Sequence, residues 1–208
     1  MVDSKYIGPT KRLLYEEPLM KIIAGMSEWR IDSFIRELKA KKAKGRILDF
    51  IRGLRFSALL VYAIREILSG TELNTNWGHL LDKDGNYCSP ECDIIIYRNG
   101  HIARWNGNEK PIMDFRFIDS QNAVAVISCK SYLSSIDKKY CISMKPYVDK
   151  VWLVAECCDP NSAENLKKRA LKSGYDNFYN TYFWNKDISP MPNKDEWMNF
   201  VEELKKLR

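Results

Sequence analysis

Cys92-Asp93-Ile94-Ile95-Ile96-Tyr97 and Ala123-Val124-Ala125-Val126-Ile127-Ser128-Cys129-Lys130 decide how this chain is read. Each run is apolar without alternation, the pattern of a strand covered on both faces rather than one half open to water. The first opens on an acid and the second closes on a lysine, with Asp93 and Lys130 37 positions apart. Adjacent strands can bring such ends together. A carboxylate there can hold Mg²⁺ or Mn²⁺, and a neighbouring ammonium can orient a water and offset charge building on a phosphate.

Toward the N-terminus, Arg98-Asn99-Gly100 closes the first strand, and Asp82-Lys83-Asp84-Gly85-Asn86 reads as the turn that pairs it with an extended stretch over residues 71–81. Before that, Arg46 to Leu68 is expected to form one long helix. Ile47, Phe50, Ile51, Leu54, Ala58, Val61, Ile64, Ile67 and Leu68 recur there at three- and four-residue steps, and Ser69-Gly70 stops it. A helical period over residues 11–23 is broken by Pro18, and a second helix starts at a Ser27 cap and runs through Trp29, Ile31, Phe34, Ile35 and Leu38.

Downstream, residues 101–120 read as irregular, with an apolar patch at Ile112 and Phe115. The stretch beginning at Ala123 is then the central strand. A helix near Ser134 to Pro146, a buried strand over residues 150–155 and a helix over residues 163–172 follow. A strand over residues 181–184 and a helix over residues 195–206 complete the series. This order predicts an α/β fold: a three-layer α/β/α sandwich with a mixed central sheet. The division expected is a basic helical extension over residues 1–45 and a core with a helix-strand-helix tail over residues 46–208.

At 208 residues, with 45% hydrophobic and 29% charged side chains, the chain is long enough for one full core and is not of disordered composition. Its N-terminus lacks an apolar signal core and its longest apolar run is too short to span a bilayer, which predicts a cytoplasmic protein with no membrane partner. Six cysteines, Cys88, Cys92, Cys129, Cys141, Cys157 and Cys158, are then expected as thiols, and their spacing is not a usual zinc pattern. Net charge is +6, and all of the excess lies early: residues 1–56 hold 13 Lys/Arg against 7 Asp/Glu, whereas residues 57–208 hold 20 of each. Lys39, Lys41, Lys42, Lys44, Arg46, Arg52 and Arg55 concentrate it, a density that suits a phosphate backbone or a solvated helix face.

On the stretches Ser89-Pro90-Glu91-Cys92-Asp93-Ile94-Ile95-Ile96-Tyr97 and Ala123 to Ser131, and on the element order, the chain resembles the PD-(D/E)XK nuclease superfamily, of restriction-endonuclease-like fold. Within it the likeness is to uncharacterised bacterial proteins patterned S-P-Q-x-D-I-V-I-Y and A-V-I-E-V-K-S, over residues 46–156. The resemblance implies metal-dependent cleavage of nucleic-acid phosphodiester bonds, DNA before RNA, with Asp93 as metal-ligand aspartate and Lys130 as catalytic lysine. The chain departs from the pattern at two places. Ser128 stands where an acid is expected, and Arg55-Phe56-Ser57-Ala58 occupies the helix position where a glutamate often stands. Substitute acids are Glu91, Glu66 and Glu156. Glu91 and Asp93 share a strand side by period two, and with the Cys129 carbonyl and waters they complete a metal site.

The expected site is thus Asp93, Lys130 and Ser128 for catalysis, Asp93, Glu91 and Cys129 for Mg²⁺ or Mn²⁺, and Lys41, Lys42, Lys44, Arg46, Arg52 and Arg55 for nucleic acid. Homodimerisation is compatible with this reading. A catalytically inactive nucleic-acid or protein-binding module of the same fold is the alternative. His79 and His101 lack triad-like neighbours. Trp77, Tyr87, Tyr97 and Trp105 lie where they can stack on bases or pack the core, and the aromatics from Tyr175 to Trp184 read as tail packing. No phosphate loop, nucleophile elbow or dinucleotide fingerprint is present.

Overall fold

The computed structural model describes residues 16–25, 33–40, 46–98, 102–104, 115–185 and 188–207. Its centre is an eight-stranded sheet. The strands are β1 (Leu73–Leu81), β2 (Cys92–Arg98), β3 (Ile102–Arg104), β4 (Phe115–Asp119), β5 (Ala123–Leu133), β6 (Lys150–Cys158), β7 (Asn177–Asn185) and β8 (Ile188–Pro192), in the spatial order β3-β4-β1-β2-β5-β6-β7-β8. The helices are α1 (residues 16–25), α2 (Ser33–Ala40), α3 (Arg46–Ile67), α4 (Lys138–Met144), α5 (Ala163–Lys172) and α6 (Lys194–Lys205). The sheet is mixed as expected: β2 pairs antiparallel with β1 and β5, while β5, β6 and β7 run parallel. The expected three-layer α/β/α arrangement is the one observed.

Two cores, one on each face, explain the unbroken apolar runs. On one face Phe56, Leu60, Ile64 and Ile67 of α3 and Phe200 and Leu204 of α6 pack on Ile94, Ile96, Ile127, Trp152 and Val154. On the other, Cys141 and Met144 of α4 and Leu166 and Ala170 of α5 pack on Ile95, Val126, Val151 and Leu153. Every residue of β6 after Lys150 is buried, so neither face of that strand has a place for alternation. Each isoleucine buried here contributes about 2 kcal/mol of transfer free energy. Leu19 and Ile22 of α1 belong to the α3 core.

Several elements differ from expectation. Pro18 lies within helical residues 16–25, in a position of the described helix where its ring is tolerated. Residues 102–104 and 115–119 are strands rather than irregular chain. β4 docks parallel on β1 and β3 antiparallel on β4, pairings that span many residues of sequence. β5 continues past Lys130 to Leu133, β7 is nine residues long, and β8 adds a far edge. In α3, Ile47 and Phe50 are exposed, because the inward face there runs through Leu48 and Ile51, which with Ile23 and Leu38 pack against Cys157 and Tyr182. The expected Ser27 cap and the chain around Trp29 lie outside the described residues.

Candidate active site

Antiparallel pairing places the start of β2 beside the late part of β5. One step along the ladder from Ile94↔Ile127 sets Asp93 opposite Ser128, and by strand alternation Lys130 follows on the same face, the one covered by α4 and α5. The three expected catalytic residues are therefore brought together. Asp93 Oδ2 accepts the Cys129 amide proton at 2.7 Å, so a side-chain carboxylate takes over from the main-chain ladder at this point. Asp93's other oxygen has no hydrogen bond among the described residues. Burial pushes the Asp93 carboxyl above its ordinary range, the Cys129 amide and the Lys130 ammonium pull it down, and the Glu91 charge raises it again. Lys130 makes no hydrogen bond or ion pair among the described residues and is half-buried.

Ser128 is 1% exposed and its Oγ has no partner among the described residues. An orphaned hydroxyl of this kind costs about 1–3 kcal/mol. The nearby Tyr175 hydroxyl donates instead to the Asp137 carbonyl at 2.8 Å. Tyr140, whose buried hydroxyl is also without a partner, lies close enough to Asp93 and Cys92 for their charges to add to the effect of burial in raising its pKa. Sequence reading missed Tyr140. It sits on the first turn of a seven-residue helix, and nothing in its own neighbourhood ties it to β2.

Glu91 precedes β2 instead of standing in it, and its carboxylate accepts from the Trp77 indole at 3.3 Å. Its charge still reaches Asp93. Cys129 turns its thiol into the α3 core, where burial pushes the thiol well up, so only its main chain is available to a cation. The expected donors, Asp93, Glu91 and the Cys129 carbonyl, are all oxygens, the donor type a hard divalent cation takes. Among the described residues no three His, Cys, Asp or Glu side chains converge as a metal cage.

Arg55 and Glu156 depart from the expected roles. Glu156 lies on the α3 side of β6, 1% exposed, and forms an ion pair with Arg55, whose side chain is 16% exposed. Arg55 therefore points inward to this carboxylate and not along a phosphate backbone, because an uncompensated buried Glu156 would be costly. Burial nevertheless raises Glu156 to about 7 against the pull of Arg55 and Arg52. Arg52 stands near Asp49 at 3.9 Å. Glu66 accepts from Lys21 at 3.3 Å, away from Asp93. Lys41, Lys42 and Lys44, with His101 and Trp105, lie outside the described residues, as does the side chain of Arg46. His79 stacks on Phe117 and meets Tyr87 edge-on, which is a packing role. The Tyr97 hydroxyl accepts from Asn76 at 2.6 Å.

A cleft of about 920 Å³ opens at the carboxyl ends of β5, β6 and β7 against the first turns of α3, and Lys130 and Glu156 reach it. Carboxyl ends of strands are where open α/β sheets bind ligands. Trp184 packs against Cys157 and Tyr182, as tail packing predicts, and also lines this cleft with Tyr132.

No family model matches the chain, and no curated protein sequence is similar to it. Solved structures are. The chain is similar to NucC of P. aeruginosa ATCC27853 in its cAAA-bound form, with 12% identity, a TM-score of 0.60 and coverage of 94% of this chain and 90% of that one. It is also similar to the cAAA-bound NucC of E. coli MS115-1, at 10% identity and a TM-score of 0.58 over 94% and 89% of the two chains. The apo form of the latter gives 11% identity and a TM-score of 0.51 over 72% and 82%. NucC carries the restriction-endonuclease-like fold of PD-(D/E)XK nucleases.

This chain has the restriction-endonuclease-like fold.

On that fold the Asp93–Ser128–Lys130 triplet occupies the end of the antiparallel β2/β5 seam. In physical terms, the neutral Ser128 hydroxyl stands opposite Asp93, and Arg55 on α3 faces Glu156 on β6. No described helix is long and apolar enough to cross a membrane.

Proposed function

We propose that the chain is a Mg²⁺- or Mn²⁺-dependent nuclease that hydrolyses nucleic-acid phosphodiester bonds, with DNA as its substrate. The observation that carries this reading is the juxtaposition of Asp93, Ser128 and Lys130 on one face at the end of the β2/β5 ladder, beside an open cleft. Asp93, Glu91 and the Cys129 carbonyl would hold the cation, which would supply Lewis-acid polarisation of the phosphate and acidify a water. Lys130 orients the attacking water and offsets the negative charge that grows on the phosphate oxygens. Ser128 donates its unused hydroxyl proton to a phosphate oxygen. Lys41, Lys42, Lys44, Arg46 and Arg52 supply backbone contacts, in a cytoplasmic homodimer. That two similar structures are cAAA-bound forms supports nucleotide-containing partners for this fold.

The test is cleavage of plasmid, single-stranded DNA and RNA with Mg²⁺ or Mn²⁺. Asp93→Ala and Lys130→Ala are each expected to slow cleavage about a hundredfold or more. A silent wild type revived by Ser128→Glu would overturn the proposal in favour of a second reading, a binding module with a decayed metal site. Two observations favour that reading: Ser128 in the place of an acid, and Glu156 already held by Arg55.

A further inference from the structure

Phosphate binding does not account for the composition of the cleft beside Lys130. Asp49, Glu156 and Asp159 line it along with Arg52 and Lys130, so it is no cationic trough of the kind a phosphate backbone selects. One wall is aromatic. Tyr132 and Trp184 meet edge to face, with centroids 6.0 Å apart and planes at 87°, and Tyr132 is 42% exposed. Trp184 packs against Cys157 and Tyr182 and meets Tyr132 edge to face, while Tyr132 keeps ring surface in the cleft for a further flat group. Asn161 and Asp159 stand on the same cleft with donors and an acceptor. Its volume of about 920 Å³ is in the range of pockets that hold small ligands, enough for a base and its sugar.

We propose that this cleft is a subsite for one unpaired nucleobase of the substrate strand, stacked on Tyr132, which Trp184 buttresses edge-on, with its polar edge met by Asn161 and Asp159. The adjoining phosphate then lies at Lys130. The inference rests on the nuclease reading for that phosphate and deepens it by naming the form of substrate: single-stranded or locally opened nucleic acid. A base inside a duplex has both faces covered by its neighbours and offers none to the aromatic wall.

The experiment uses the full chain in EDTA, where binding is read without cleavage. Anisotropy titrations compare a fluorescent single-stranded oligonucleotide, the same strand with abasic sites, and its duplex. The intact strand is expected to bind about tenfold more tightly than the abasic one, the scale of one stacked base. Tyr132→Ala and Trp184→Ala should each abolish most of that preference, and Trp184→Phe should restore it. Tyr132 serves as a check should Trp184→Ala fail to fold, since its ring is partly in solvent. Equal binding of intact and abasic strands, tighter binding of the duplex, or no binding of any strand would overturn the proposal. A free nucleoside monophosphate that competes as well as the strand would overturn the assignment to a strand. Loss of cleavage with the base preference intact defeats the nuclease reading alone, and cleavage without base preference defeats the subsite alone.

Discussion

Asp93 uses one carboxylate oxygen for a main-chain hydrogen bond, from the Cys129 amide, and holds its charge against burial. Glu156 shows the opposite economy, with its charge directed at Arg55 and its environment opposed to that charge. Its folded pKa of about 7 exceeds the ordinary 4.5, so between those values the folded state binds more protons than the unfolded state. Stability from this group is then greatest below about 4.5 and declines as pH rises to about 7. Urea midpoints at pH 5 and pH 8 should show wild type losing about 1–3 kcal/mol more than Glu156→Gln across that window. Equal losses would mean that Glu156 ionises without penalty.

At the scale of elements, β1 is where three strands depend on one small residue. Gly78 sits at a bulge in the β1/β2 ladder and pairs with Arg116 of β4, and a Cβ at Gly78 would overlap the Arg116 carbonyl. Gly78→Ala is expected to destabilise the protein by about 3 kcal/mol or more, measured by denaturant unfolding, by prising β4 from β1. Gly85→Ala meets open space and is strained only by its left-handed φ of 79°, so it should cost about 1 kcal/mol. The doubly covered strands β2, β5 and β6 were legible in the sequence because two helical layers leave them no polar face. β4 was not: it is five residues long, and its parallel partner β1 is remote in sequence. β8 was hidden by Pro190 and Pro192, which an edge strand accommodates because one side of its backbone needs no partner. The site divides in the same way. Asp93 and Lys130 were legible as an acid and a lysine at the ends of two apolar strands, and Ser128 through the family resemblance, whereas Tyr140, the Arg55–Glu156 pair and the cleft position of Trp184 depend on packing between distant elements.

At the scale of the molecule, the positive excess is confined to one stretch of the chain. The excess of 13 Lys/Arg over 7 Asp/Glu lies in residues 1–56, while the rest is balanced at 20 of each. If Lys41, Lys42 and Lys44 contact phosphates, reversing their charge should weaken DNA binding and lower the slope of log affinity against log salt by about 3, and leave unfolding midpoints unchanged. An unaltered slope would assign these lysines to solvent.

The sheet changes character at β5, which has an antiparallel neighbour on one side and a parallel one on the other. Where that change occurs, the Cys129 amide is tethered to a titratable side chain and not to another strand. Whatever neutralises or coordinates Asp93 competes for the electrons that hold a main-chain proton in the middle of the molecule. The charge on Asp93 and the tightness of the seam are thus one variable, and the Cys129 amide is its built-in gauge.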